Sequence, residues 1–409
     1  MNTTWLALRN VGRNRRRTLL LLLIITIGTA GLIVNSGLIT YIFNGLRDVA
    51  IFGRFGHIQV YKQGYKLNHT KAPFDYWMSD AEYAVMGQKL RQIPHVKFVT
   101  AEATLPVFLT WGERSAAGLA TGMVPSDMKL LSATRLVAGH DEIRDAGSFA
   151  EAVVGRGLAE RLQLHVGDIL TVTASGRHQG YNGLDIKVNG IFEEGFRDYD
   201  DWTLKLPLSA LQRLSGQSGT DKIIAILDDT SETENVRARI ESALQTEGVE
   251  TASWLELAEF YRQVIAMFGK ELNVIQWIVQ VLVFFAIVTG LAMVYTERQH
   301  EMATLLAMGM TRTRLAMLFA QESFWLGAMA AILGAIVGIT ASLIVSQVGI
   351  SMPPPPGSTR SFIARVDFSP LRVFYYSALS LIVTCVAALV PALWIWWLNI
   401  AAALRQERN

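Results

Sequence analysis

Four long stretches of this chain carry no charge, and they decide what it can fold into. No charged residue lies between Arg17 and Arg47, between Glu271 and Glu297, from Ser323 to Val348, or between Arg372 and Arg405. Each run exceeds the roughly 20 residues with which a helix crosses about 30 Å of hydrocarbon. The chain is 51% hydrophobic and 18% charged, and that deficit of charge sits in the runs. The expectation is four transmembrane helices at 18–43, 272–296, 315–346 and 373–397.

Lys+Arg 37 against Asp+Glu 35 leaves a net charge of +2, so no global basic field exists to hold nucleic acid. So apolar a chain with so little net charge is not a disordered one. The single cysteine, Cys385, excludes an intramolecular disulfide and a multi-cysteine metal site.

Basic residues near the span ends set orientation. Arg9, Arg13, Arg15, Arg16 and Arg17 precede the first span, with no acid among them. That places the 1–17 segment in the cytoplasm. The first apolar run is too long for a cleaved signal peptide, and no small-x-small site follows it. Residues 44–271 then lie outside, 297–314 inside, 347–372 outside and 398–409 inside.

The external segment reads as a folded α+β domain. Strand signals occur at Gly56–Tyr61, Asp168–Thr173, Gly183–Phe192 and Lys222–Leu227. Ser79–Ile93, Glu232–Glu247 and Trp254–Gly269 have helical patterns, the last running almost directly into span two. Span one is expected to continue outward through Asn44–Val49, giving the domain two helical stalks.

No catalytic constellation emerges. Gly269-Lys270 lacks the upstream glycine of a phosphate loop and is followed by Glu271. Gly155-x-Gly157 sits on a strand–turn–helix, but Glu160 stands where a dinucleotide fingerprint needs its third glycine. His300-Glu301 resembles a zinc-protease helix, with Thr304 in the second histidine's place. The expectation is that the chain has neither catalytic nor metal-ligating residues.

The inner loop, ERQHEMATLLAMGMTRTR over Glu297–Arg314, is more informative. Met302, Leu305, Leu306 and Gly309 fall on one face of a short helix, with Glu297 and Glu301 on a polar face. Gly309 suits a helix end and Thr311 a new start. The helix either lies on lipid or docks into a cytoplasmic partner.

That loop resembles the E-R-x-x-E signature of the FtsX-like permease family, subunits of bacterial ABC transporters. The matching residues are Glu297, Arg298, Glu301, Met302, Ala303, Leu305, Ala307, Met308 and Gly309. Pro391 and the Leu398–Arg405 tail also resemble the family's ending, with Ile400 in place of a proline and Trp394, Trp396 and Trp397 where arginines are usual. The outer segment is similar to the periplasmic core domain of the MacB and LolC/LolE branch through Gly56–Tyr61 (GHIQVY), Val153–Glu160, Val166–Asp168, Gly190–Phe192 and Trp202–Leu214. GHIQVY followed by Gly64-Tyr65 is closer to the lipoprotein-releasing LolC/LolE side.

The resemblance implies a permease of the bacterial inner membrane that transmits force. Two copies of a separate ATPase would bind ATP and Mg, leaving no cofactor in this chain. A second permease, identical or homologous, would complete the complex, with membrane lipids around it and a periplasmic carrier or adaptor outside. The coupling residues would be Glu297, Arg298, Glu301, Met302, Leu305, Leu306, Met308 and Gly309. Extraction of lipoprotein or another amphiphile toward the outer membrane is the leading expectation. The alternatives are a non-transporting permease that regulates a periplasmic enzyme, and peptide or drug efflux with an adaptor.

Four further features stand out. Glu322 is the one acid within a span, and Arg312, Arg314 or an N-terminal arginine is the expected partner. Gly334 and Gly338 form a small-xxx-small pair for close helix approach, and Gly28, Gly31, Gly37 and Gly327 suit the same use. Met352–Gly357 reads as a stiff proline cap. Leu105–Trp111, the most apolar outer stretch, is a buried strand by default and an acyl-binding surface as the alternative.

Overall fold

The computed structural model describes residues 15–128, 135–145, 149–177, 180–353 and 362–405. Two compact units divide it: 1–43 with 265–352 and 363–409, and 44–264 with 353–362.

The first unit contains helix α1 (Arg15–Ala50) up to residue 43, α6 (Glu259–Glu297) from residue 265, α8 (Arg312–Val348) and α9 (Pro370–Trp394). Each is long and apolar enough to cross a membrane. Two short helices, α7 (Gln299–Ala307) and α10 (Ile400–Arg405), lie outside the spans. Glycines let the long helices approach. A Cβ on Gly334 would lie 2.6 Å from Thr29 Cβ, and one on Gly338 would lie 3.2 Å from Ala30 Cα. Gly28 serves α6 in the same way, with Val283 Cγ2 3.0 Å from its Cβ position. Gly31 faces no atom within 4 Å. Gly334→Leu is therefore expected to cost about 1–3 kcal/mol by overpacking, while Gly31→Leu is neutral. Melting temperature in detergent checks this: a drop of several degrees for the first only.

Side-chain hydroxyls staple the bundle. Thr29 Oγ1 donates to Ser380 Oγ at 2.7 Å, and Thr384 Oγ1 returns its proton to the Ser380 carbonyl one turn back. Much of α6 remains uncovered: Trp277 is 71% exposed, and Leu282 and Phe285 are exposed beside it.

Among the described residues, the second unit is built on ten strands. Its central element is β2 (Val96–Trp111), whose two halves serve different lobes. The first half joins an antiparallel sheet in the order β10 (Val249–Ser253), β1 (Ile58–Lys62), β9 (Lys222–Leu227), β2. Helices α2 (Asp80–Arg91) and α5 (Thr233–Ala243) cover it with Met86, Leu90, Val236 and Ile240. Ser79 starts α2 as a capping box: its hydroxyl accepts from Glu82 N while Glu82 Oε2 accepts from Ser79 N at 2.7 Å.

The second half of β2 enters a closed ring. It pairs with β3 (Arg114–Met123), then β8 (Thr203–Pro207), β5 (Ala150–Gly155), β7 (Tyr181–Glu193) and β6 (Ile169–Ser175), and β6 pairs back onto β2. Alternation along β2 sends Leu105, Val107 and Leu109 inward to meet Val172, Ile186 and Leu204. Helices α3 (Arg156–Leu162) and α4 (Leu208–Ser215) add Leu158, Leu162, Leu211 and Leu214 to this core. The β4 strand (Arg135–Gly139) pairs with β7 at the edge.

Some sequence expectations change here. The Gly155-x-Gly157 turn is a strand-to-helix joint whose glycines admit another loop: a Cβ on Gly155 would collide with the Asp200 carbonyl and one on Gly157 with Asp201. Trp254–Gly269 is not one helix. The chain breaks at Ala258, with ψ 65, and Glu259 begins the same helix that forms span two. Glu232–Glu247 likewise divides into a 3-10 turn, α5 and a second 3-10 turn. The N-terminal arginine side chains and residues 354–357 of the proline cap lie outside the described residues; Ile350–Met352 and Phe362–Ala364 form a two-stranded ribbon flanking the latter.

Candidate functional site at the inner helix

The site is an elbow. Helix α6 ends at Glu297 and α7 begins at Gln299, so Arg298 is the corner residue, with φ −96 and ψ 8. Helix α7 stops at Ala307 because Gly309 takes φ 95, a left-handed value that favours glycine. Thr311 then caps α8, its hydroxyl accepting from Arg314 N. The expected stop and start are both present.

Arg298 ties three elements together. Its Nη1 donates to Glu322 Oε2 at 2.5 Å and its Nη2 to Glu322 Oε1 at 3.4 Å, while Nε donates to Glu301 Oε2 at 3.3 Å. Glu322 lies on α8 with its side chain 11% exposed. A carboxylate so buried needs a fixed cation, and a guanidinium fork suits both oxygens. Arg298 is a partner of Glu322 that was not among the expected ones, and the N-terminal arginine side chains lie outside the described residues. Arg312, one of the candidates, goes to the end of span four, where it donates to the carbonyls of Ile395, Trp396 and Leu398. Those carbonyls follow Pro391, where α9 tightens into a 3-10 turn.

The structure divides the predicted inner-helix residues. Met302 and Leu306 are buried in the chain's own bundle with Leu315 and Phe319, and Leu305 packs half-buried beside them. Most of the apolar face is therefore occupied by the chain's own bundle. What the helix presents is Thr304, Ala307 and Met308, the last 72% exposed, followed by Gly309. Glu297 is exposed and Glu301 half-buried. Helix α10 packs along α7, where His300 Nδ1 lies 3.4 Å from the Ala403 carbonyl oxygen.

A second polar centre, in the outer domain, left no sequence signal. Lys205 on β8 and Glu194 are ion-paired with side chains only 3% and 0% exposed. Asp200 accepts from Glu194 N at 2.9 Å and Gly195 N at 3.0 Å. Burial pushes the Glu194 carboxyl up to about 7 against the pull of Lys205. Asp221, whose Oδ2 accepts from Tyr65 Oη at 3.0 Å, is raised to about 6 by the same cause. The centre adjoins the π-helical turn Ile51–Phe55: Glu194 Oε2 lies 3.4 Å from where a Gly53 Cβ would stand, and Arg54 lies over the Tyr199 ring. Among the described residues no three His, Cys, Asp or Glu side chains converge as a metal would require.

Four membrane-length helices, an ordered inner elbow and a large α/β domain between the first two spans define a multi-pass membrane protein. The comparisons make this specific. Residues 18–243 match the MacB-like periplasmic core domain, and residues 273–400 match the FtsX-like permease C-terminal domain. The chain belongs to this family, the ABC-transporter permeases of the FtsX, MacB and LolC type, and is a protein of the inner membrane with a periplasmic-type domain. It is 23% identical over 363 residues to the lipoprotein-releasing system transmembrane protein LolC of Haemophilus influenzae, across 84% of this chain and 87% of the relative. Among solved structures, the periplasmic region of MacB from Actinobacillus actinomycetemcomitans is 14% identical, covering 53% of this chain and 95% of that one, with a TM-score of 0.36. The extracellular domain of the noncanonic ABC-type transporter YknZ from Gram-positive bacteria is 13% identical, covering 48% and 99%, with a TM-score of 0.35.

Proposed function

We propose that this permease passes the ATP-driven motion of a separate ATPase to its periplasmic domain, and that the work extracts a lipidated or amphiphilic cargo from the membrane. The observation that carries the reading is the Arg298 elbow. A push on α7 meets a guanidinium that is locked to α8 through Glu322, while the peptide backbone joins it to α6. Both spans therefore receive the displacement. Helices α1 and α6 each continue without a break from membrane-length apolar sequence into residues of the outer unit. A continuous helix carries a rigid-body displacement where a loop would absorb it.

The Haemophilus relative's name, a lipoprotein-releasing system transmembrane protein, supports lipoprotein as cargo. The uncovered apolar face of α6 supports a second permease, the same chain or a homologue, as its neighbour. Two ATPase copies below, holding ATP and Mg, and a periplasmic carrier or adaptor complete the proposed complex. The proposed ATPase contact is the Thr304–Met308 edge with Glu301, rather than the buried Met302 and Leu306.

Two variants test the contact. Met308→Asp changes an exposed position, so insertion and folding should be unaffected; Glu301→Lys also removes the contact to Arg298 Nε, so its melting temperature is read alongside. Each is expected to weaken capture of the ATPase by about tenfold or more, because a charge is stranded or reversed in a desolvated contact. The purified chain alone should hydrolyse no ATP. Normal capture by the double variant, or robust hydrolysis by the chain free of any partner, contradicts the proposal.

A further inference from the structure

The outer domain has a cleft that the coupling mechanism does not use. Its volume is about 350 Å3, within the range of small-ligand sites. One wall is the turn Pro73–Tyr76, held in place where Gln217 Nε2 donates to the Phe74 carbonyl at 3.2 Å. The other wall is the end of β6, held where Arg177 N donates to the Ser215 carbonyl at 3.1 Å. Leu105 and Pro106 on β2 form the floor. Lys71 and Arg177 stand at the rim, both exposed and neither in an ion pair among the described residues. Asp75 is the one acid among the lining residues.

The floor does not end at the cleft. Along β2, Pro106 and Phe108 point the same way, outward from the closed ring. Phe108 is 58% exposed. It sits opposite Ala117 on β3 and Thr173 on β6, and Thr173 sits opposite Gly183 on β7. Tyr181, opposite Ser175, is also exposed. This row carries no charge; the first acid on the face is Asp185, whose Oδ1 already accepts from Thr171 Oγ1 at 2.7 Å. The surface is therefore an apolar track with small neighbours, ending in a cleft with two cations.

We propose that this cleft and track bind a single-chain anionic amphiphile. Its acidic head lies between Lys71 and Arg177, and its hydrocarbon lies over Pro106 and Phe108. Hydrocarbon removed from water onto Phe74, Pro106 and Phe108 supplies affinity, and the rim cations fix the direction. The proposal rests on this geometry alone and stands whether or not the inner helix binds an ATPase.

The test uses the full chain in nanodiscs and a dodecanoic acid carrying a photoreactive diazirine at its tail. Adducts are mapped by mass spectrometry. Labelling within the spans is the internal control for membrane partition. Adducts are expected on the peptide containing Pro106–Phe108 and on its β6 neighbour Thr173. They should fall by about tenfold in Lys71→Glu with Arg177→Glu, the effect of about 1.4 kcal/mol. They should also fall in Phe108→Ser, with span labelling unchanged in both. Unlabelled dodecyl phosphate should compete, and inorganic phosphate should not. Equal labelling of the cleft by the corresponding alcohol, equal competition by inorganic phosphate, or span adducts with none at the cleft would overturn the proposal.

Discussion

Lys205→Met is expected to destabilise the outer domain by about 3 kcal/mol at pH 8 and by much less at pH 5. The pair it breaks is fully inside the domain, so removing the cation leaves the Glu194 charge without its compensation in a low-dielectric setting. Methionine keeps the length and apolar stem of lysine, which isolates the charge from the packing. The pH dependence follows from the carboxyl's position. Its value is raised from 4.5 to about 7, so between those limits the folded state holds a proton that the unfolded chain releases. Stability from this group is present below about pH 4.5 and is lost as pH rises through 7. In acid Glu194 is neutral and needs no cation, so the variant loses little there. Amide exchange at β8 in the full chain reads the opening free energy at both pH values. Equal losses at pH 5 and pH 8 would show that Lys205 acts through its cation–π contacts with the Phe192 and Tyr199 rings, not through its pairing with Glu194.

The second large effect concerns the elbow. Arg298→Ala strips the two-point contact from Glu322 and the side-chain link to Glu301 in one change. The expected cost is about 3 kcal/mol, seen as a lower melting temperature in detergent. Glu322→Gln should cost less, because Arg298 keeps Glu301 and glutamine still offers an oxygen. Arg298→Lys should fall between them, since an ammonium keeps the charge but not the fork. This ordering separates the elbow from a general surface ion pair, whose loss is worth about 0–1 kcal/mol. In the assembled complex, Arg298→Ala should continue to hydrolyse ATP but no longer move the outer domain. If Glu322→Gln proves more damaging than Arg298→Ala, the elbow does not hold the bundle in the way described.

How much of this was legible in the sequence depends on the range of the interaction. The four spans were, because a missing charge is a local fact. The break at Gly309 and the cap at Thr311 were, because helix ends are written in one or two residues. The strand–turn–helix at Gly155-x-Gly157 was legible in outline, but only the structure gives its reason, the Asp200–Asp201 loop that no side chain leaves room for. The closed ring of strands was not legible, since it depends on β6 returning to β2 across more than sixty residues of chain. Strand pairing at that distance has no sequence period. The partner of Glu322 was sought at the start of its own helix or among the N-terminal arginines, and the structure adds Arg298 from the preceding corner. The face of α7 was predicted correctly as apolar. Periodicity does not say what covers such a face, and here the chain covers it itself. Lys205 and Glu194 gave no signal at all, because a buried pair and a solvated pair have the same letters.

The central claim is that one chain carries motion from an inner elbow to an outer domain. Hydrogen exchange of the complex with its co-purified ATPase, with and without ATP, tests it most directly. The account predicts that ATP changes exchange at the π-helical turn Ile51–Phe55 and at the break around Ala258. It also predicts that Arg298→Ala abolishes the change while hydrolysis continues. Unaltered exchange at both places in the wild-type complex, with ATP turning over, would contradict it.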